Sequence, residues 1–188
     1  MRNNLSGKSD DELVEMLKGS KRESKEAFGE LYDRYSGKLY TYCKKILNNS
    51  EIAEDVFQDT FERFYESARS GKLQISNISA YLTKIARNLC LNEKSRKANE
   101  NVPIEDKEFS FYDESYENNE MANILHTALD TLPEQFKEVI VMKEFMDMTY
   151  QEIADALEVS MPLVRIRVFR AKNKLREVMS PYINDLGK

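Results

Sequence analysis

Residues 149–175 read TYQEIADALEVSMPLVRIRVFRAKNKL, and the character of the chain changes halfway along them. Glu152, Asp155 and Glu158 stand in the first part with no base among them, whereas Arg165, Arg167, Arg170, Lys172 and Lys174 follow Ser160 with no acid. Thr149 and Glu152 have the spacing of a capping box, which predicts a short helix with Ile153, Ala154 and Leu157 facing inward. Ser160 caps a second helix that carries Pro162 in its first turn, where a missing N–H costs nothing. Two helices joined by Glu158-Val159-Ser160 make a helix-turn-helix pattern. Along the second helix Val164, Val168, Ala171, Leu175 and Val178 step by four and three down one side and pack inward. Six bases, counting Arg176, occupy the rest between Met161 and Arg176. A helix so charged suits a DNA major groove, with the acidic helix before it as a scaffold held off the phosphates. The bland alternative is an amphipathic helix with a solvated basic face.

The whole chain sets limits on what surrounds this unit. Its 188 residues accommodate one ordinary domain or two small ones, and two are expected. Charged residues make up 32% and there are only 6 Gly and 4 Pro, a composition that favours an all-α protein. No run approaches a membrane span and no apolar segment behind a basic start marks a signal peptide, so a cytoplasmic protein without membrane insertion is expected. Cys43 and Cys90 lie in helical patterns beside apolar residues, as buried thiols of a reducing compartment do. His126 is the only histidine, which excludes histidine-rich zinc sites. No phosphate-cradling glycine loop is present. No metal, cofactor or catalytic residue is assigned, and the chain is not expected to be an enzyme.

Net charge becomes informative once divided. Lys plus Arg against Asp plus Glu number 18 and 15 in residues 1–98, 1 and 8 in residues 99–126, and 9 and 10 in residues 127–188. The middle segment fits neither helical nor strand period, and its like charges repel, so a flexible acidic linker is expected there between domains 1–98 and 127–188.

Four helices are read before the linker. Ser9 caps one to about Lys18, Ser24 caps a longer one to about Leu47, and Ser50 starts a third. In the third, Ala53, Phe57, Phe61, Phe64 and Ala68 form an apolar side, while Asp55, Asp59, Glu62 and Glu66 fall opposite with Gln58 beside them. Such a stripe is either a solvated acidic face or a surface for a basic partner helix. The fourth, from about Asn77 to Arg96, buries Ile78, Leu82, Ile85, Ala86, Leu89 and Cys90. Lys84, Arg87, Asn88 and Ser95 lie opposite, with Tyr81 at the border. Lys94, Arg96 and Lys97 extend the positive patch. Cations for phosphates and a ring to stack a base suit single-stranded nucleic acid; a solvated basic face with a structural tyrosine gives the same pattern. Beyond the linker a helix over about 119–130 is followed by Leu132-Pro133-Glu134, which puts Pro133 in the first turn of the next helix, running toward Phe145.

The segment LPEQFKEVIVMKEFMDMTYQEIADALEVSMPLVRIRVFRAKNKL resembles region 4 of an extracytoplasmic-function sigma factor, in the sigma-70 family of bacterial RNA polymerase specificity subunits. FGELYDRYSGKLYTYCKKILNNSEIAEDVFQDTFERFYE resembles region 2 up to its polymerase-binding helix, and NISAYLTKIARNLCLNEKSRK resembles the helix that melts and reads the minus-ten element. The resemblance implies a sigma region 2-like four-helix domain and a region 4-like helix-turn-helix domain. It gives Asp55, Gln58, Asp59 and Glu62 to the polymerase core, whose β′ clamp helices and β flap are the expected contacts. Tyr81, Lys84, Arg87 and Asn88 would hold the unwound non-template strand, with a flipped base received by the loop from Ser70 to Asn77. Arg165, Arg167, Arg170 and Lys174 would meet the duplex minus-thirty-five element. An anti-sigma factor is a further partner implied by the family. The linker should leave the two domains to move independently until a partner fixes them.

One departure from the family pattern is informative. Leu163 and Ile166 stand where the family has hydroxyl residues, and Pro162, Ile166 and Phe169 point away from the core stripe. Such groups touch a thymine methyl but read no donor or acceptor. Weak or unusual minus-thirty-five readout is therefore expected, with placement aided by an additional recruiting protein on this apolar patch. Two other classes use part of the pattern: a helix-turn-helix regulator acting without core polymerase, and a helical adaptor that binds only proteins. A regulator needs no acidic clamp-binding stripe, and an adaptor needs no six-base helix.

Overall fold

The computed structural model describes residues 5–71, 77–99 and 120–186. It contains α1 (Asp10–Leu17), α2 (Lys21–Leu47), α3 (Ser50–Arg69), α4 (Ile78–Asn99), α5 (Glu120–Asp130), α6 (Glu134–Glu144), α7 (Tyr150–Leu157) and α8 (Met161–Leu186), with no strand among the described residues. Helices α1–α4 form one module and α5–α8 a second, so the all-α, two-module class is as expected. Part of α5 lies within the segment read as linker, of which residues 100–119 are outside the described residues.

Local chemistry sets the helix boundaries. Ser9 and Glu12 close a reciprocal capping box on α1, and Ser20 and Glu23 close another on α2. The second corrects the assignment of Ser24 as a cap. Ser24 sits inside α2, fully buried, with its hydroxyl 3.0 Å from that of Tyr65. Helix α2 ends at Asn48, in the left-handed conformation at φ 51°, and Asn49 caps α3 through Oδ1, which accepts the Ile52 N–H at 2.8 Å. Ser50 is therefore the first helical residue rather than the cap. Asn77 accepts from the Ala80 N–H at 2.8 Å at the start of α4. Pro133 falls one position earlier than expected, at the cap of α6, where its carbonyl accepts from Phe136 and Lys137.

The first module packs around Leu13, Leu17, Leu31, Tyr42, Phe64 and Leu82, all essentially inaccessible to water. Phe61 is the hinge of an aromatic row, with ring centroids 6.0 Å from Phe28 and 5.3 Å from Phe57, both edge-on. Arg34 fastens the segment before α1: it donates to Asp10 at 2.9 Å and to the Lys8 carbonyl at 2.8 Å. Cys43 and Cys90 are both buried and free. In the second module Val164, Val168 and Ala171 of α8 are buried against α6 and α7, and Leu175 is half-buried, as the helical spacing requires.

The modules are not independent in this structure. Helix α4 packs on α7 and α2 packs on α6, and one continuous apolar core runs through both. The structure thus shows one arrangement in which the two modules touch. The physical reason lies in Met148: it is 1% exposed, and its sulfur lies 3.7 Å from the Thr83 hydroxyl of the first module. Separating the modules would wet that side chain.

Two substitutions calibrate the core. Phe64→Ala should lower the unfolding free energy by about 3–5 kcal/mol, whereas Phe169→Ala, at a side chain 66% exposed, should stay within about 0.5 kcal/mol. Urea titration followed by circular dichroism reads both.

Candidate nucleic-acid interface

Helix α3 buries its aromatic side and turns Asp55, Gln58, Asp59, Glu62 and Glu66 to solvent. Gln58 donates to Glu54 at 3.3 Å, and Asp59 has only a long contact of 3.9 Å with Arg63. Asp55 and Glu62 form no ion pair among the described residues, so four aligned polar groups remain available to a partner.

Helix α4 divides its expected strand-binding residues into two sets. Tyr81 and Asn88 line a shallow depression with Arg63, Glu66, Ser67 and Ile85, and the Tyr81 ring lies against Phe64 at 6.4 Å between centroids. Lys84 and Arg87 lie on the other flank, against the second module. Lys84 Nζ is 2.7 Å from Glu158, Arg87 Nε is 2.9 Å from Glu138, and Lys94 Nζ is 2.5 Å from Glu134. The cations therefore do not form the single open face with Tyr81 that the helical wheel suggests. Of the loop expected to receive a flipped base, residues 72–76 are outside the described residues.

Those three pairs differ in depth. The Glu138 side chain is 4% exposed, and burial pushes its carboxyl above the ordinary carboxylate range even with Arg87 beside it. Glu158 is on the surface, and the hydrogen bond from Lys84 holds its carboxyl below that range. Further contacts flank them. Lys38 pairs with Asp147 at 3.0 Å, Asn77 donates to Glu152 at 3.3 Å, and the Lys45 ammonium sits 4.1 Å above the Phe145 ring centroid. Asp130 accepts from Lys137 at 2.7 Å and from Asn48 at 2.8 Å; burial opposes its ionisation, but these two donors win and keep the carboxyl below its ordinary value.

Sequence patterning alone gives the acids of this seam no role. Glu134 and Glu138 are four apart on α6, a visible signal that they share a face, but periodicity says nothing about which helix that face meets. Among the described residues no group of three or more His, Cys, Asp and Glu side chains is placed to hold a metal ion.

On α8 the bases are displayed as the wheel requires. Arg165 and Arg170 are exposed and Arg167 is half-exposed. The Arg165 guanidinium stacks 5.5 Å from the Tyr150 ring centroid, which holds it at the start of the helix. Lys172 and Lys174 make surface pairs with Glu144 at 2.9 Å and Glu177 at 3.5 Å. Leu163, Ile166 and Phe169 are 37%, 48% and 66% exposed, an apolar strip among the arginines. The turn before α8 places Glu158 at φ 54°, and the Val159 N–H returns to the Ala154 carbonyl at 3.0 Å. No helix among the described residues is long and apolar enough to cross a membrane.

An acid-striped helix, a basic helix and a helix-turn-helix in this order define a two-module subunit of the sigma-70 type. Residues 31–100 match the family model Sigma-70 region 2, and residues 122–175 match Sigma-70, region 4. The chain is 25% identical over 172 residues to the ECF RNA polymerase sigma factor SigE of Mycolicibacterium smegmatis, spanning 86% of this chain and 65% of that protein's length. It is 25% identical over 195 aligned positions to the RNA polymerase sigma-H factor of Pseudomonas aeruginosa, covering 96% and 99%. A solved structure of the sigma factor RpoE with the anti-sigma factor NepR from Bartonella quintana has a similar fold, with a TM-score of 0.68 at 20% identity over 81% of this chain and 96% of that one. The chain belongs to the extracytoplasmic-function (ECF) sigma factors of the sigma-70 family. Sigma factors of this family are transcription-initiation subunits that bind polymerase core and promoter DNA.

The depressed Asp130 carboxyl makes a pH-dependent prediction. A carboxyl held below its unfolded value stabilises the fold above that unfolded value, and the contribution is lost as pH falls through the folded one. Asp130→Asn should therefore cost about 1–2 kcal/mol at neutral pH, the size of a partly buried charge-assisted hydrogen bond. The difference from the parent chain should shrink toward zero on acidification. Urea midpoints at a series of pH values measure it.

Proposed function

We propose that this chain joins core RNA polymerase through Asp55, Gln58, Asp59 and Glu62 and directs promoter-specific initiation. In this reading α3 docks on the basic helices of the polymerase clamp. The β flap takes the second module, Tyr81, Lys84, Arg87 and Asn88 hold the unwound non-template strand, and Arg165, Arg167, Arg170 and Lys174 approach the upstream duplex. The polymerase supplies the chemistry, and this subunit contributes recognition and strand opening without a catalytic group of its own. The functional units proposed are 1–98 and 127–188, with 99–126 between them, and the site of action is the cytoplasm. The observation that carries the reading is the presence in one chain of an exposed, mostly unpaired acidic stripe on α3 and a six-base helix on α8. A regulator acting alone has use for only the second.

Readout of the minus-thirty-five element is proposed to be weak. Arginines aimed at phosphates position a helix without specifying sequence, and Leu163 and Ile166 offer no donors or acceptors to base edges. The exposed strip of Leu163, Ile166 and Phe169 supports a contact with an additional recruiting protein. An anti-sigma factor is proposed as a regulator, since the structurally similar RpoE is seen bound to one.

Reconstitution tests the whole. The parent chain should co-elute with core polymerase, and Asp55→Asn with Asp59→Asn should weaken that association at least about tenfold, equivalent to about 1.4 kcal/mol. Failure of the parent chain to form a complex, with duplex binding retained, would instead indicate a free-standing helix-turn-helix regulator. Single base-pair changes across the upstream element should alter initiation by less than the factor of about ten that a loss of 1.4 kcal/mol from one specific contact brings. Alanine at Arg165, Arg167 and Arg170 should weaken binding to every sequence alike and flatten its salt dependence. A sharp sequence requirement there would sink the weak-readout idea.

A further inference from the structure

Among the described residues five large apolar side chains are exposed, and three of them stand together on α8: Leu163, Ile166 and Phe169. On a helical wheel Ile166 falls opposite the buried stripe of Val164, Val168 and Ala171, which puts it at the crest of the helix. Leu163 lies beside it. Arg165, exposed, and Arg167, half-exposed, border the strip on its two sides. Position along the helix matters as much. Leu163 and Ile166 are the third and sixth residues of α8, which begins at Met161, and the N-terminal part of the second helix of a helix-turn-helix is the part that reaches base edges.

The neighbouring chemistry narrows what these two side chains can read. From Val159 to Arg176 the chain has no carboxylate, so nothing there accepts from a cytosine amino group. Arg165, which has the fork to read a guanine, has its guanidinium drawn to 5.5 Å from the Tyr150 ring centroid. The apolar group that base pairs offer in the major groove is the C5 methyl of thymine. Arginines that draw phosphates up on both sides would press the strip between them against that floor.

We infer that Leu163 and Ile166 read thymine methyl groups in the upstream duplex. The inference rests on the proposed approach of α8 to that duplex and deepens it, by naming the base that the helix favours. One buried methyl changes an equilibrium constant about fourfold, less than a good bidentate hydrogen-bonded contact brings. Readout by methyls alone is therefore present but shallow. Phe169, three residues further along and 66% exposed, remains as the anchor of the recruiting-protein contact.

The experiment titrates the full chain with short duplexes that differ only at C5. One carries a run of A·T pairs, and its counterpart has uracil for every thymine, which keeps each hydrogen-bonding group and removes each methyl. The parent chain should bind the thymine duplex at least about tenfold more tightly, about fourfold for each of two contacted methyls. In a G·C duplex, 5-methylcytosine in place of cytosine should strengthen binding, because it restores the methyl at the same place in the groove. The double variant Leu163→Asn, Ile166→Asn, at two exposed positions, should bind the thymine and uracil duplexes equally. That variant also controls for DNA shape, since a preference arising from tract stiffness or groove width would persist in it. Equal affinity of the parent chain for the two duplexes would overturn the inference and return both side chains to a protein contact. A preference that survives in the double variant would overturn the assignment to Leu163 and Ile166. Absence of duplex binding by the parent chain would overturn the placement of α8 and the inference with it, whereas holoenzyme formation, measured separately, decides the sigma-factor reading.

Discussion

The pair between Arg87 and Glu138 is the constraint on which the arrangement of the whole molecule depends. At 2.9 Å, with the carboxylate 4% exposed, it is the most deeply buried ion pair between the modules among the described residues, and it lies where α4 and α6 would otherwise carry opposite uncompensated charges. Breaking such a pair on one side strands the other partner in a poorly solvated place, which is costly; replacing both with apolar groups need not be. The pair therefore acts more as a register than as a source of stability. It specifies which faces meet, and the apolar contact around Met148 and Leu82 supplies the attraction.

Around that contact the two modules solve the same problem with different means. The first has a wide aromatic row, Phe28, Phe57, Phe61 and Tyr65 edge to face, which leaves one side of α3 free of any packing duty. The second is smaller and depends on α8, whose narrow inner stripe of Val164, Val168 and Ala171 leaves most of its circumference to bases. In each case a helix can present charge because its buried stripe is narrow and complete.

Much of this was legible from residue spacing. Thr149 with Glu152 announces α7, and the steps of four and three in α3 and α8 locate both core and display faces, because each rule involves one helix and its own period. Helix caps are less legible, because several residues compete for one role. Ser20, Ser24, Asn49 and Ser50 can all cap, and the choice fell to whichever had a reciprocal partner or a left-handed neighbour, as Ser20 has Glu23 and Asn49 has Asn48. The seam was invisible for a deeper reason. A wheel places Lys84 and Arg87 on a polar face, but whether that face meets water or carboxylates is decided by chain segments 50 to 75 residues away, about which local periodicity carries no information.

The pairing of the α4 bases with carboxylates bears on how ions would enter the strand binding proposed for that helix. A base that leaves water to grip a nucleic acid releases counterions, and binding then weakens steeply with added salt. Lys84, Arg87 and Lys94 begin already paired, so moving them from one set of anions to another changes the surrounding ion atmosphere little. Salt screens the outer pairs and the strand contact together. If α4 holds single strands as proposed, that grip should depend on ionic strength less than the tally of basic residues suggests, and the missing part of the slope counts the cations engaged beforehand.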